Sequence, residues 1–513
     1  MPEELFKNLK NKIPAAWKIC FLSAIAVGLV AHIYKLTNWL PNWDSLVFRY
    51  DPQNMVALGR WFLPVVCAPS SFYDLPWLAG LLALVFHGLG ALCICQAFRV
   101  NKNMTAALIG AAVITFPTVT SVLTYNYVAD GYAIAFFLSC LAVSLLVKEK
   151  PRYALSAICI ALSAGIYQAY LTVTVMLLLC YLITEALREE TKVKELIFKT
   201  LKLLATGACG MALYYILMNV ILKITGTELL EYQGLSDAMS FDSFNILAIL
   251  YTVKQSFVSY FFDFSNGLSV FTLLNCVVFA LTVALYLVEM IKRRTSLVKL
   301  LIVGACVVLL PVGASLLAFV NSSVDYHNLM KMGFFVFYLF LILQYEKADF
   351  KAQKLNSAKA WAIFGVTALL VFNNIVIANV SYHKLNMAYQ KSYGTLIRIA
   401  DRIEQTEGAE ECESILVLGA LENSEAYSVK LPPDMTGITD GYILRADDEV
   451  VGQSVLCSAL NDYCGKDYRF LYGEEKASLL EKADEETMGI WPAENSILVV
   501  DDVIVIRLGS EVQ

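Results

Sequence analysis

The residues able to do chemistry gather in a few short stretches between long apolar runs. The first stretch reads Asn42-Trp43-Asp44-Ser45-Leu46, then Arg49-Tyr50-Asp51-Pro52, then Gly59-Arg60-Trp61-Phe62. A carboxylate such as Asp44 can act as a general base, taking the proton of an attacking hydroxyl. Arg60 carries a planar, permanently charged fork that suits phosphate. Further along stand Asp130, the pair Tyr167-Gln168, and the trio Asp325, His327 and Lys331. Each also has a structural reading. Asp44 could cap a short helix, and Asp130 could cap the helix that follows it. Asp51-Pro52 has the form of an N-cap with Pro at the first helical position, so capping is the preferred role for Asp51. Arg60 could be an interfacial anchor beside Trp61. Tyr167 and Gln168 could simply satisfy a hairpin. His327 and Lys331 read first as outer-surface polar residues, with phosphate contact as the smaller alternative.

The elements that must position these residues are membrane helices. Of 513 residues, 58% are hydrophobic and only 16% charged, which is too apolar for an ordinary soluble domain. The apolar residues are blocked into runs near 17–34, 76–98, 104–123, 128–147, 153–167, 169–187, 196–222, 267–291, 297–320, 326–345 and 359–380. Runs of this size match the bilayer core, so about eleven transmembrane helices are expected. The stretch 153–187 is too long for one helix and is flanked on both sides by basic residues, Lys148, Lys150 and Arg152 before, Arg188, Lys192 and Lys194 after. Two crossings with a turn near Gly165-Ile166-Tyr167-Gln168 reconcile this with the retention of basic loops inside. The expected topology is a multi-pass cell-membrane protein with its N-terminus cytoplasmic. Residues 1–380 form the membrane domain. Residues 381–513, rich in Asp and Glu, form a small extracytoplasmic α+β domain. In that domain 385–406 reads as an amphipathic helix, Ser414–Leu418 and Ile497–Val500 as strands, and Val503–Leu508 as a strand after an Asp501-Asp502 hairpin turn. A segment at 244–262 has the pattern of a helix lying in the interface. A Cys457–Cys464 disulfide is possible on sequence alone.

Asn42-Trp43-Asp44 after the first helix, Gly59-Arg60-Trp61-Phe62 before the second, Asp130 opening the fourth and Tyr167-Gln168 at an outer hairpin together resemble a known family. The sequence is similar over roughly 15–380 to the bacterial and phage Gtr-type glucosyl transferases, the serotype-conversion family with the GT-C membrane fold. It departs from that family's commoner acidic pair, because Ser45 follows Asp44. The resemblance implies a glycosyltransferase taking a hexose, glucose by analogy, from a polyprenyl-phosphate-linked donor flipped to the outer leaflet. The acceptor would be a cell-surface glycan or polymer. Asp44 would then be the base, and Arg60, with Lys331, would stabilise the phosphate leaving group. Asp130, Tyr167, Gln168, Asp51 and His327 complete the expected substrate-binding set.

Other classes fit less well. A transporter or flippase of lipid-linked sugars is the main alternative, but no internal repeat is visible. The ionisable residues Glu185, Lys202 and Glu289 lie near helix ends rather than at mid-membrane depth. A membrane anchor displaying the acidic domain would not need so many helices. No basic-aromatic pattern points to nucleic acid. Gly28, Gly59 and Gly131 stand alone, so no phosphate loop is present. No cofactor is expected, and a divalent metal stays open because Asp44-Ser45 makes no acidic pair.

Overall fold

In a computed structural model the described residues are 4, 13–47, 55–230, 245–265, 267–293, 295–320, 326–348, 354–419, 421, 449–475, 479 and 488–509. They fall into two compact units. One holds the first long helix and the chain from the Gly59 loop to Val380; the other holds a short helix after Leu40 and the described residues from Ser381 onward.

In chain order the helices are α1 (Ala15–Thr37), α2 (Trp43–Val47), α3 (Leu63–Tyr73), α4 (Pro76–Ala97), α5 (Asn103–Ile114), α6 (Pro117–Thr124), α7 (Ala129–Leu146), α8 (Tyr153–Ile166), α9 (Leu171–Ala186), α10 (Val193–Thr225), α11 (Ile246–Phe261), α12 (Val270–Lys292), α13 (Leu297–Ala314), α14 (Phe335–Glu346), α15 (Lys354–Glu404) and α16 (Glu449–Cys464). Each of the eleven apolar runs is helical. Among the described residues eight helices are long and apolar enough to span a bilayer, and α5 with α6, bent by 44°, passes the same test as a pair. The remaining two runs give the shorter helices Tyr153–Ile166 and Met332–Glu346. At about 1.5 Å per residue, the 14 residues of α8 reach only about 21 Å, short of a bilayer core of about 30 Å. Tyr167 is extended (φ −158°, ψ 117°) and breaks the 153–187 stretch where the sequence puts the turn. Helices suit this setting because each satisfies its own backbone.

Small residues let the helices close up. Gly110 of α5 lies against the Cys20 backbone of α1, where a side chain would collide. α4 packs on α7 and α1, α7 on α8, and α8 on α10. The carboxylates Glu185 and Glu289 are paired with cations. Glu185 lies 3.3 Å from Lys199, and Glu289 lies 2.8 Å from Lys347 and 3.2 Å from Arg293. At 244–262 the structure forms α11, capped by Asn245, whose side chain accepts from the Leu247 and Ala248 amides.

α15 differs from expectation. The span thought to end at 380 and the helix thought to begin at 385 are one helix of 51 residues. No Gly or Pro stands between Val380 and Leu385, so nothing stops propagation. The second unit carries a four-stranded sheet in the order β2-β1-β4-β3, with β1 Ser414–Leu418, β2 Arg469–Phe470, β3 Ile497–Val500 and β4 Val503–Arg507. β1 is parallel to β2 and β4, and β3 is antiparallel to β4. Asp501 (φ 49°) and Asp502 (φ 59°) are both left-handed, the geometry of a two-residue hairpin turn. Cys457 and Cys464 are both free thiols. They sit seven residues apart on α16, hence about 10 Å along its axis, too far for the disulfide considered from sequence.

Candidate functional site

The loop Met55–Arg60 turns at Gly59, whose φ of +72° is a conformation glycine adopts without strain. A β-carbon at Gly59 would sit 2.8 Å from Tyr214 Oη and 3.0 Å from Gln168 Nε2. The turn is clamped on both sides. Gln168 Nε2 donates to Leu58 O and to Tyr214 Oη, each at 3.0 Å, and Tyr214 Oη donates to Gly59 O at 3.2 Å. The Phe62 amide donates to Gly165 O at 2.8 Å, tying the loop to the end of α8.

This clamp delivers Arg60 onto a tyrosine wall. Its guanidinium carbon lies 4.7 Å from the centre of the Tyr167 ring, and Nη1 donates to Tyr132 Oη at 3.2 Å. Tyr132 and Tyr167 stack, 4.7 Å apart and inclined by 17°. Tyr170 packs on both. A half-buried arginine held by a ring face and a phenol keeps one orientation, which suits binding of an anion. The structure thus brings Arg60, Tyr167 and Gln168 together and adds Tyr132, Tyr170 and Tyr214, which sequence reading passed over. Interface-belt tyrosines are common in membrane helices, so type alone did not distinguish these three.

Asp130 is placed differently. It stands in the first turn of α7, 2% exposed. Its Oδ1 accepts from Ser70 Oγ at 2.6 Å and from the Gly131 amide at 2.9 Å. Ser71 Oγ donates to Tyr127 O at 2.7 Å. Asp130 therefore pins the C-terminal part of α3 to the 125–130 loop. Beside it lies a buried cluster that sequence reading missed. Lys35, 1% exposed, donates to Asn126 Oδ1 at 2.7 Å, and Trp39 Nε1 donates to Asp74 Oδ2 at 2.6 Å. A lysine on the last turn of an apolar helix was the available signal.

Asp44 belongs to the second unit, in α2, where it is half-buried. The capping role considered for it falls to Asn42, whose Oδ1 accepts from the Ser45 amide at 3.0 Å and from Ser45 Oγ at 2.8 Å. Asp51, together with Arg49 and Asp325, lies outside the described residues. His327 and Lys331 flank a 3-10 turn, Asn328–Met330, that packs on α6. Lys331 is 9% exposed and its ammonium lies 5.2 Å from the centre of the Tyr260 ring, so it is not an outer-surface side chain. Among the described residues no group of three or more His, Cys, Asp or Glu could hold a metal ion.

No curated protein matches the chain, and no solved structure does. Residues 33–345, more than half the chain and including Asp44, Arg60, Asp130, Tyr167, Gln168 and Lys331, match the glucosyl transferase GtrII family, so the chain is a membrane-embedded member of that family.

Proposed function

We propose that the protein transfers glucose from a polyprenyl-phosphate-linked donor to a cell-surface glycan or polymer on the outer face of the membrane. The observation that carries this reading is the placement of Arg60, inside the family-matched segment, on the Tyr132–Tyr167 wall. A phosphate leaving group is already anionic and needs an oriented cation more than an acid. The buried Tyr132–Tyr167 stack holds that cation in one orientation, and the Gln168–Tyr214–Gly59 clamp keeps the loop from drifting. Asp44 takes the acceptor proton. Asp130 acts through Ser70 and the 125–130 loop, as a positioning residue. Lys331, beside His327, forms a second cationic position. The N-terminus is cytoplasmic and the residues from Ser381 onward face outside. No cofactor takes part in this scheme.

The test is turnover in membranes containing the full-length protein, supplied with polyprenyl-phosphate-glucose or with a nucleotide-glucose. The expected result is transfer from the lipid donor, lost in Asp44→Asn. Transfer from the nucleotide sugar alone would refute the donor assignment. Movement of intact lipid-linked sugar across the bilayer without transfer would support a flippase instead.

A further inference from the structure

The first long helix ends on a buried charge. Lys35 sits in the last turn of α1 and is 1% exposed. Taking an ammonium out of water costs several kcal/mol, which only good partners offset. Its Nζ donates to Asn126 Oδ1 at 2.7 Å, and Asp74 adds an attractive charge. Asp74 is fixed in turn, because its amide donates to Ser70 O at 2.9 Å and its Oδ2 accepts from Trp39 Nε1 at 2.6 Å. The hydrogen bond of a costly buried cation thus goes to a neutral amide on a loop. A neutral donor could make that bond at lower cost, so packing alone does not account for a lysine here. An ionisable group buried among membrane helices marks function by default.

The loop that Lys35 holds leads to Arg60 through direct bonds. Ser71 Oγ donates to Tyr127 O at 2.7 Å, and the Val128 amide donates to Tyr125 O at 3.1 Å. Asp130 Oδ1 accepts from Ser70 Oγ at 2.6 Å, and the Tyr132 amide donates to Val128 O at 3.0 Å. Tyr132 Oη then accepts from Arg60 Nη1 at 3.2 Å. Ser70, Ser71, Asn126, Asp130 and Tyr132 are each at most 2% exposed, so solvent does not readily replace a broken link. The 125–130 loop is therefore held from two sides, by Lys35 of α1 and by the serines of α3, and α3 itself follows directly on Arg60-Trp61-Phe62.

We propose that Lys35 is a positioning residue for glucosyl transfer. Its buried ammonium fixes the 125–130 loop, and the loop fixes the Tyr132 phenol against Arg60. The inference rests on the role given to Arg60 above. A side chain that only held the fold together would change how much protein folds, and its loss would be independent of the Tyr132–Arg60 bond. The test is a double-substitution cycle in membranes containing the full-length protein. The donor is polyprenyl-phosphate-glucose, and turnover is expressed per folded molecule, counted by detergent size-exclusion. Lys35→Met keeps the length of the side chain and removes the ammonium. It should lower kcat/KM roughly fivefold to tenfold, the same loss as removing the Tyr132 phenol. In the Tyr132→Phe background, where the bond to Arg60 is already gone, it should cost about twofold or less. Asn126→Ala breaks the same link from the loop side while Lys35 keeps Asp74, and should give the same pattern even where Lys35→Met does not fold. Losses that multiply in the cycle, or an unchanged kcat/KM per folded molecule in Asn126→Ala, would overturn the positioning role while leaving the proposed reaction standing. Failure of both variants to fold would make the link a structural one and overturn it too. Wild-type protein that transfers no glucose from the lipid donor would overturn the proposed reaction, and this inference with it.

Discussion

Removing the phenol that holds Arg60 separates orientation from charge. Tyr132→Phe deletes the acceptor of the 3.2 Å bond from Arg60 Nη1 and leaves the ring stacked on Tyr167 at 4.7 Å. A hydrogen bond from a charged donor is worth about 1.5–3 kcal/mol when buried. Arg60 is only half-buried, so about 1–1.5 kcal/mol is the better figure once solvent screening is allowed for. At about 1.4 kcal/mol per decade, Tyr132→Phe should lower kcat/KM roughly fivefold to tenfold. Arg60→Lys keeps the charge but loses the fork and the planar contact with Tyr167, and should cost roughly 10–100-fold. The two effects should not add, because the lysine cannot use Tyr132 in the same way. In the Arg60→Lys background, Tyr132→Phe should therefore cost about twofold or less. The assay is glucosyl transfer in membranes with amounts of folded protein matched by detergent size-exclusion. Full additivity of the two substitutions would show that Tyr132 acts independently of Arg60 and refute the orientation argument. Near-normal turnover in Arg60→Lys would remove Arg60 from the phosphate role altogether.

Four other outcomes follow from the same geometry. Asp44→Asn should lower turnover roughly a hundredfold or more with folding intact, whereas Asp51→Asn, which can still cap, should cost little; the reverse pattern in the transfer assay would move the base to Asp51. Gly59→Ala forces a β-carbon against Tyr214 and Gln168 at a positive φ, and should lower the melting temperature by an amount matching about 1–3 kcal/mol, read by thermal size-exclusion. Cysteine labelling at Gln390 should occur from the external side of intact cells, and labelling only from the cytoplasmic side would invert the proposed topology. Burial pushes the Cys457 thiol up to about 11, so in folded protein at neutral pH Cys464 should react with a maleimide well before Cys457, with both reactive after denaturation.

Composition and the lengths of the apolar runs made the membrane character and the helix positions legible. An apolar run about as long as the bilayer is thick has one stable backbone solution, whatever its neighbours do. The break at Tyr167 was legible too, from basic flanks rather than from any breaker residue. In the second unit, Ile497–Val500 and Val503–Arg507 were readable as a hairpin because Asp501-Asp502 is local turn chemistry. Short-range signals failed where the outcome is cooperative. The 380–385 segment carries no stop, and the helix ran through it.

Residue type marked Arg60, Tyr167 and Gln168 as candidates, and the family match covers them all, but sequence spacing could not say which would meet. Arg60 and Tyr167 are more than a hundred positions apart, and only the docking of α8 and α10 against the Gly59 turn joins them. The same holds for Lys35 with Asn126, and for Lys331 with Tyr260. A side chain's partners across a bundle depend on which helix faces are apposed and how far each is rotated. That is decided by small-residue contacts such as Gly110 on Cys20, where the missing side chain matters only once the opposing backbone is in place.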